Sequence, residues 1–117
     1  MRKGRIADGI EFTEIALGDS KRGNPQTEEQ AFRVMDHYIE RGGNTFDSAR
    51  LYNDGGADKA LGKWLRSRGI AREAIRYVTK GSHPIPGQMH VSRLSKEEIE
   101  TYLEESLAFS GLEYSDI

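Results

Sequence analysis

The chain has 117 residues, with 17 Lys and Arg against 19 Asp and Glu for a net charge of −2, and 36% of its residues are apolar. This is the make-up of one globular domain of common size. It excludes a collagen-like chain, and no window approaches the ~18–20 consecutive apolar residues of a membrane-spanning helix. The absence of cysteine removes disulfides, thiolate metal sites and a thiol nucleophile, while balanced charge argues against a nucleic-acid partner. Met1-Arg2-Lys3-Gly4-Arg5 has no apolar run behind it, so no secretory signal is expected and a cytoplasmic location is.

Arg5-Ile6-Ala7 and Ile10-Glu11-Phe12 flank Asp8-Gly9, a pair favoured in tight hairpin turns. Ile15-Ala16-Leu17, ending at Gly18, reads as a short buried strand. Thr27-Glu28-Glu29-Gln30 fits a capping box. Behind it Ala31, Met35, Tyr38 and Ile39 share one helix face, and Gly42-Gly43 ends the helix. Residues 44–49 read as the next strand, around Thr45-Phe46-Asp47. Ala57, Ala60, Leu61, Trp64 and Leu65 then form a helical stripe that stops at Gly69. Gly62 within it costs up to ~1 kcal/mol against alanine, so close packing against the sheet is expected there. Residues 75–80 are the following strand. Ser95-Lys96-Glu97-Glu98 is a second capping box, leading Ile99, Tyr102, Leu103 and Leu107 to Gly111. Residues 114–117 open another strand, and 88–94 look irregular. A hairpin followed by three βα units predicts an α/β fold with parallel pairing, one that has not closed by residue 117.

Phosphate loops are the first function to test in such a fold. Gly18 and Gly23 have the separation of a Walker loop, but Asn24-Pro25 stands where Lys-Ser/Thr is required, and no G-x-G-x-x-G occurs. His83 and His90 lack a third ligand nearby, so no metal site is expected and a polar loop role is. His37 is expected on the surface and Trp64 in the core. Three ionisable residues do stand at the C-terminal ends of strands: Asp47, Tyr52 in the loop after it, and Lys80. Side chains alternate along a strand, so Phe46 and Asp47 face opposite ways, and Lys80 shares its face with Val78. Parallel neighbours would set Asp47 beside Lys80. On these grounds alone a structural salt bridge with a loop tyrosine is as good a reading as a catalytic group.

The segment from Gly43 to Tyr52, reading GNTFDSARLY, with Ala60-Leu61-Gly62 downstream, resembles the signature region of the aldo-keto reductases. Tyr77-Val78-Thr79-Lys80 resembles that family's lysine strand. Leu103-Glu104-Glu105-Ser106-Leu107 through Tyr114-Ser115-Asp116-Ile117 is similar to its third helix and the opening of its fourth strand. The resemblance runs over residues 14–117 and implies the N-terminal portion of a (β/α)8 TIM barrel, with the initial hairpin as a plug at the barrel bottom. It further implies NADPH as cofactor and a small-molecule aldehyde or ketone as substrate. Tyr52 would donate a proton, Lys80 would make that phenol a better acid, and Asp47 would pair with Lys80. Gly18, Asp19, Ser20 and Asp47 match positions near the cofactor. Asp19 stands where the family often has a small neutral residue, and an anion close to the cofactor's phosphates is unfavourable. The resemblance leaves open a regulatory, non-catalytic NADPH-binding protein of the same fold, and a remnant with a structural role only.

Overall fold

An Asp-Gly turn opens the structure, a computed structural model that describes residues 1–19 and 28–117. Ser20, the rest of the 18–23 loop and the expected cap Thr27 lie outside the described residues. Strands β1 (Lys3–Ala7) and β2 (Ile10–Thr13) pair antiparallel. Gly9 between them has φ +79°, a left-handed conformation that costs glycine nothing because it has no Cβ.

The main sheet is parallel and three-stranded, in the order β3 (Leu17–Gly18), β4 (Thr45–Asp47), β5 (Arg76–Val78). Leu17 lies opposite Phe46, and Phe46 opposite Tyr77. Each strand is followed by a helix: α1 (Glu28–Glu40), α2 (Gly56–Arg68) and α3 (Lys96–Ser110). The regular strands are shorter than their sequence patterns, yet pairing continues past their ends. Ser48 N–H donates to the Val78 carbonyl at 2.8 Å and Arg50 N–H to the Lys80 carbonyl at 3.2 Å. Residues 114–117 line the other edge of β5, where Ile117 accepts from Thr79 N–H at 2.9 Å. Arg72 pins this segment, with its guanidinium 2.7 Å from Asp116 Oδ2 and 3.9 Å from the centre of the Tyr114 ring. Among the described residues, no helix is long and apolar enough to cross a membrane.

One face of the sheet buries Phe46 and Tyr77 against Met35 and Tyr38 of α1 and Leu61, Trp64 and Leu65 of α2. Tyr38 meets Phe46 edge-on at 5.4 Å, and the Trp64 ring lies 5.3 Å from Phe46. Trp64, fully buried, still donates its indole N–H to Asp36 Oδ1 at 2.7 Å. His37 is exposed, as its place on α1 implies. The hairpin docks at the N-terminal end of β4. Thr13 N–H donates to Asn44 Oδ1 at 2.9 Å, and the Tyr38 hydroxyl donates to the Ile15 carbonyl at 2.6 Å. Ile15 itself is 63% exposed, which corrects the expected buried strand over 15–17. Its backbone is taken up by Tyr38 before regular pairing begins at Leu17.

The face α3 presents is a second correction. Ile99 and Leu103, expected in the buried stripe, are 48% and 40% exposed, while Ser106 and Ser110 are fully buried. The reason is the closeness of α2. A Cβ on Gly62 would stand 1.7 Å from the Ser110 carbonyl oxygen, so only small residues fit where the two backbones meet. Gly62 thus packs against α3, and not against the sheet as the sequence suggests. Arg66 donates to the same carbonyl at 3.0 Å and helps close the C-terminal end of α3.

Two effects oppose each other in Gly62→Ala. Helix propensity favours alanine by ~1 kcal/mol, but the contact is with backbone, which cannot swing aside. The clash wins, and the variant is expected to lose ~1–3 kcal/mol, the usual cost of overpacking. Urea denaturation checks the sign: a midpoint at or above that of the wild type would contradict the packing described.

Candidate active site

Strand alternation sends Phe46 into the core and leaves Asp47 on the opposite side of the sheet, at the C-terminal end of β4. Lys80, just past β5, reaches the same place. Its ammonium donates to Asp47 Oδ1 at 2.6 Å and to the Ser48 carbonyl at 2.8 Å, and lies 4.9 Å from the centre of the Tyr52 ring. Asp47, Tyr52 and Lys80 are therefore together. The loop bearing Tyr52 is held by a run of left-handed residues, Asn53, Asp54 and Gly55, with φ of 52°, 53° and 78°. Asn and Asp tolerate this region better than other side chains. At Gly55 a Cβ would also strike the Phe109 ring at 2.3 Å. Tyr52 is tied at its base, its N–H donating to the Ala49 carbonyl at 2.9 Å.

Burial pulls the Lys80 ammonium down, but the hydrogen bond and charge of Asp47, with a contribution from Tyr52, outweigh it. The net shift is upward from the ordinary value of 10.5, so Lys80 is a cation throughout the neutral range. Beneath the pair is a buried polar layer. Asp58 of α2, with no exposed surface, accepts at Oδ1 from the Ser48 hydroxyl at 2.6 Å and from the Tyr77 hydroxyl at 2.8 Å. Burial and the Asp58 charge push the Tyr77 phenol far above its usual range, which keeps it a donor. The Thr79 hydroxyl completes the layer by donating to Ser106 Oγ at 3.1 Å.

Tyr52 and Lys80 open on a cleft of about 300 Å³, lined also by Ala49, Leu51, His83, Leu94 and Tyr102. His83, in an irregular loop, stands at the cleft, and among the described residues no cluster of three or more His, Asp or Glu fits a metal ion. The residues expected near a cofactor divide. Gly18 is exposed next to Asp47, and a Cβ there would meet nothing within 4 Å, so its backbone is open to a ligand. Asp19 is buried, 1% exposed, with its N–H donating to the Asp47 carbonyl at 3.2 Å. Its carboxylate is thereby withheld from solvent. Ser48, Asp58 and Tyr102 were not singled out as site residues by sequence reasoning. For Asp58 a signal exists: it falls three and seven residues before Leu61 and Leu65, an acid inside a buried stripe.

The Aldo/keto reductase family model matches residues 14–117. The chain is 33% identical over 107 residues to the uncharacterized oxidoreductase YrpG of Bacillus subtilis, covering 85% of this chain and 33% of that one. It is 35% identical over 74 residues to norsolorinic acid reductase of Emericella nidulans, covering 57% of this chain and 19% of that one. Among solved structures it resembles the holo form of an aldo-keto reductase from Bacillus halodurans, with a TM-score of 0.76 at 28% identity, over 98% of this chain and 38% of that one. The chain thus spans about a third of the length of YrpG. Its hairpin and three βα units form an α/β part of a (β/α)8 TIM barrel.

The Lys80–Asp47 pair has a definite pH signature. A lysine whose folded pKa is raised contributes stability that is fully present below its unfolded pKa and is lost as pH rises through the folded one. The stability difference between wild type and Lys80→Met should hold at neutral pH and shrink as pH climbs past 10.5. With side chains 44% and 38% exposed, the pair is expected to contribute within ~0–1 kcal/mol. Chemical denaturation of both proteins across that pH range checks the direction.

Proposed function

Because the chain belongs to the aldo/keto reductase family, we propose that it is the working N-terminal part of an NADPH-dependent oxidoreductase. The reaction is reduction of an aldehyde or ketone to an alcohol, with Tyr52 as proton donor. One observation carries this reading: the Lys80 ammonium, anchored on Asp47, lies beside the Tyr52 ring at the floor of an apolar cleft. The relatives support the class of reaction, one being called an oxidoreductase and another a reductase.

A reduced nicotinamide, when bound, supplies hydride to the carbonyl carbon, which leaves the oxygen in need of a proton. Tyr52 provides it from its hydroxyl. A phenol is a weak acid, and the charge left behind on its oxygen is stabilised by the adjacent ammonium of Lys80. Asp47 keeps that ammonium protonated and fixed in place, since a lysine on its flexible stem does not hold a position unaided. The residues present fit the nicotinamide-ribose end of such a cofactor. Asp47, an acceptor-only carboxylate, suits ribose hydroxyls and would repel a phosphate; Gly18 leaves its backbone approachable; and Asp19, being buried, does not present its carboxylate to an incoming anion. Leu51, Leu94 and Tyr102 favour a carbonyl compound with an apolar body.

The test uses the complete reading frame that contains these residues. Tyr52→Phe keeps the ring and removes the dissociable proton, so cofactor affinity should stay level while carbonyl reduction falls by ~10²–10⁴. Lys80→Met should be comparably damaging, and Asp47→Asn milder because it acts through Lys80. The measurement is kcat at saturating NADPH. A Tyr52→Phe rate equal to that of the wild type would place the proton donor elsewhere. Tight cofactor binding with no turnover of any carbonyl would favour the regulatory alternative.

A further inference from the structure

We propose that Asp58 is a positioning residue for this reduction: through the Ser48 hydroxyl it holds the one carbonyl that, with Asp47, aims the Lys80 ammonium at Tyr52. The inference rests on the roles given to Tyr52 and Lys80 above. Asp58 occupies the first turn of α2, in line with Leu61 and Leu65 and with no exposed surface. An apolar residue there would take this acceptor from the buried Ser48 and Tyr77 hydroxyls. A buried carboxylate is costly unless its oxygens are satisfied, and Asp58 Oδ2 is buried with no hydrogen-bond partner. Core packing therefore does not account for an acid at this place.

What the acid does is visible in its partners. Ser48 is gripped at three atoms: its N–H donates to the Val78 carbonyl at 2.8 Å, its hydroxyl to Asp58 Oδ1 at 2.6 Å, and its carbonyl accepts from Lys80 Nζ at 2.8 Å. The first two bonds restrain the residue on both sides of its Cα and so set the direction of the third. Lysine has three N–H donors, and with Asp47 and the Ser48 carbonyl taking two, the third is left for the side on which Tyr52 lies. Tyr77, the other donor to Asp58, bonds the same oxygen from β5. It helps hold Asp58 in place. Among the described residues, the charged and titratable groups around the ammonium and lining its cleft are Asp47, Tyr52, His83 and Tyr102.

The experiment compares Asp58→Ala, Asp58→Asn and Ser48→Ala in the complete protein, reading kcat, KM and the pH profile of carbonyl reduction. Asp58→Ala and Ser48→Ala should each lower kcat ~10-fold, the scale of coupling within one hydrogen-bond network, and the double variant should be no worse than either single one. Both should displace the basic limb of the profile upward, as Lys80→Met should, because a donor with a less well placed ammonium is a weaker acid, with KM for NADPH unchanged. Asp58→Asn, which keeps an acceptor toward Ser48, should recover most of the rate. Tyr77→Phe, which removes the other donor to Asp58, should lower the melting temperature. If Asp58→Ala does not fold, Ser48→Ala decides the matter. A Ser48→Ala rate within about twofold of wild type and an unmoved basic limb, with Tyr52→Phe still inactive, would make Asp58 a structural residue only. Full activity in Tyr52→Phe would instead overturn the reading on which the inference rests.

Discussion

Three residues of one central strand, Thr45, Phe46 and Asp47, constrain everything around them. β4 is paired on both edges, with β3 and with β5, so its register admits no slip: a shift by one residue would exchange the faces of all its side chains. Phe46 must then enter the core against Tyr38 and Trp64, and Asp47 must emerge at the far side. Thr45, at the start of the strand, joins the polar contacts that seat the hairpin. One strand thus joins the core, the closed end and the chemical end of the sheet.

The two ends of the sheet are built from different physics. At the N-terminal end, Thr13, Tyr38, Asn44 and Thr45 form a buried net of neutral hydrogen bonds. Neutral partners satisfy one another there at little desolvation cost, which suits a structural closure. At the C-terminal end the Asp47–Lys80 pair is charged and half exposed. Charge left accessible beside an apolar cleft adds little to stability and is suited to acting on a ligand.

Between those layers, small residues govern how the helices approach. Gly62 lets α3 lie directly on α2, and Gly55 gives room to the Phe109 ring. That close approach brings Ser106 to the Thr79 hydroxyl and places Tyr102 at the cleft. It also leaves Ile99 and Leu103 facing outward. The same contact that completes the cleft therefore determines which face of α3 is buried.

Local chemistry was legible in the residues themselves. The Asp8-Gly9 turn, the glycine stops after α1, α2 and α3, the Ser95 cap and the opposite facing of Phe46 and Asp47 each follow from a conformational preference that a few neighbours decide. The juxtaposition of Asp47 with Lys80 followed too, because parallel pairing and a period of two leave few alternatives. Tertiary structure alone decided the rest. Nothing local distinguishes Ser106 and Ser110 from Ile99 and Leu103 as the buried face of α3; the distance between two backbones does. Nothing local brings His83, from an irregular loop, to the cleft beside Tyr52. Asp58 lies in a buried stripe by spacing, but its partners Ser48 and Tyr77 come from 10 and 19 residues away. Sequence periodicity carries directions along one element, whereas a site is a set of distances between elements, and those exist only once the elements have packed.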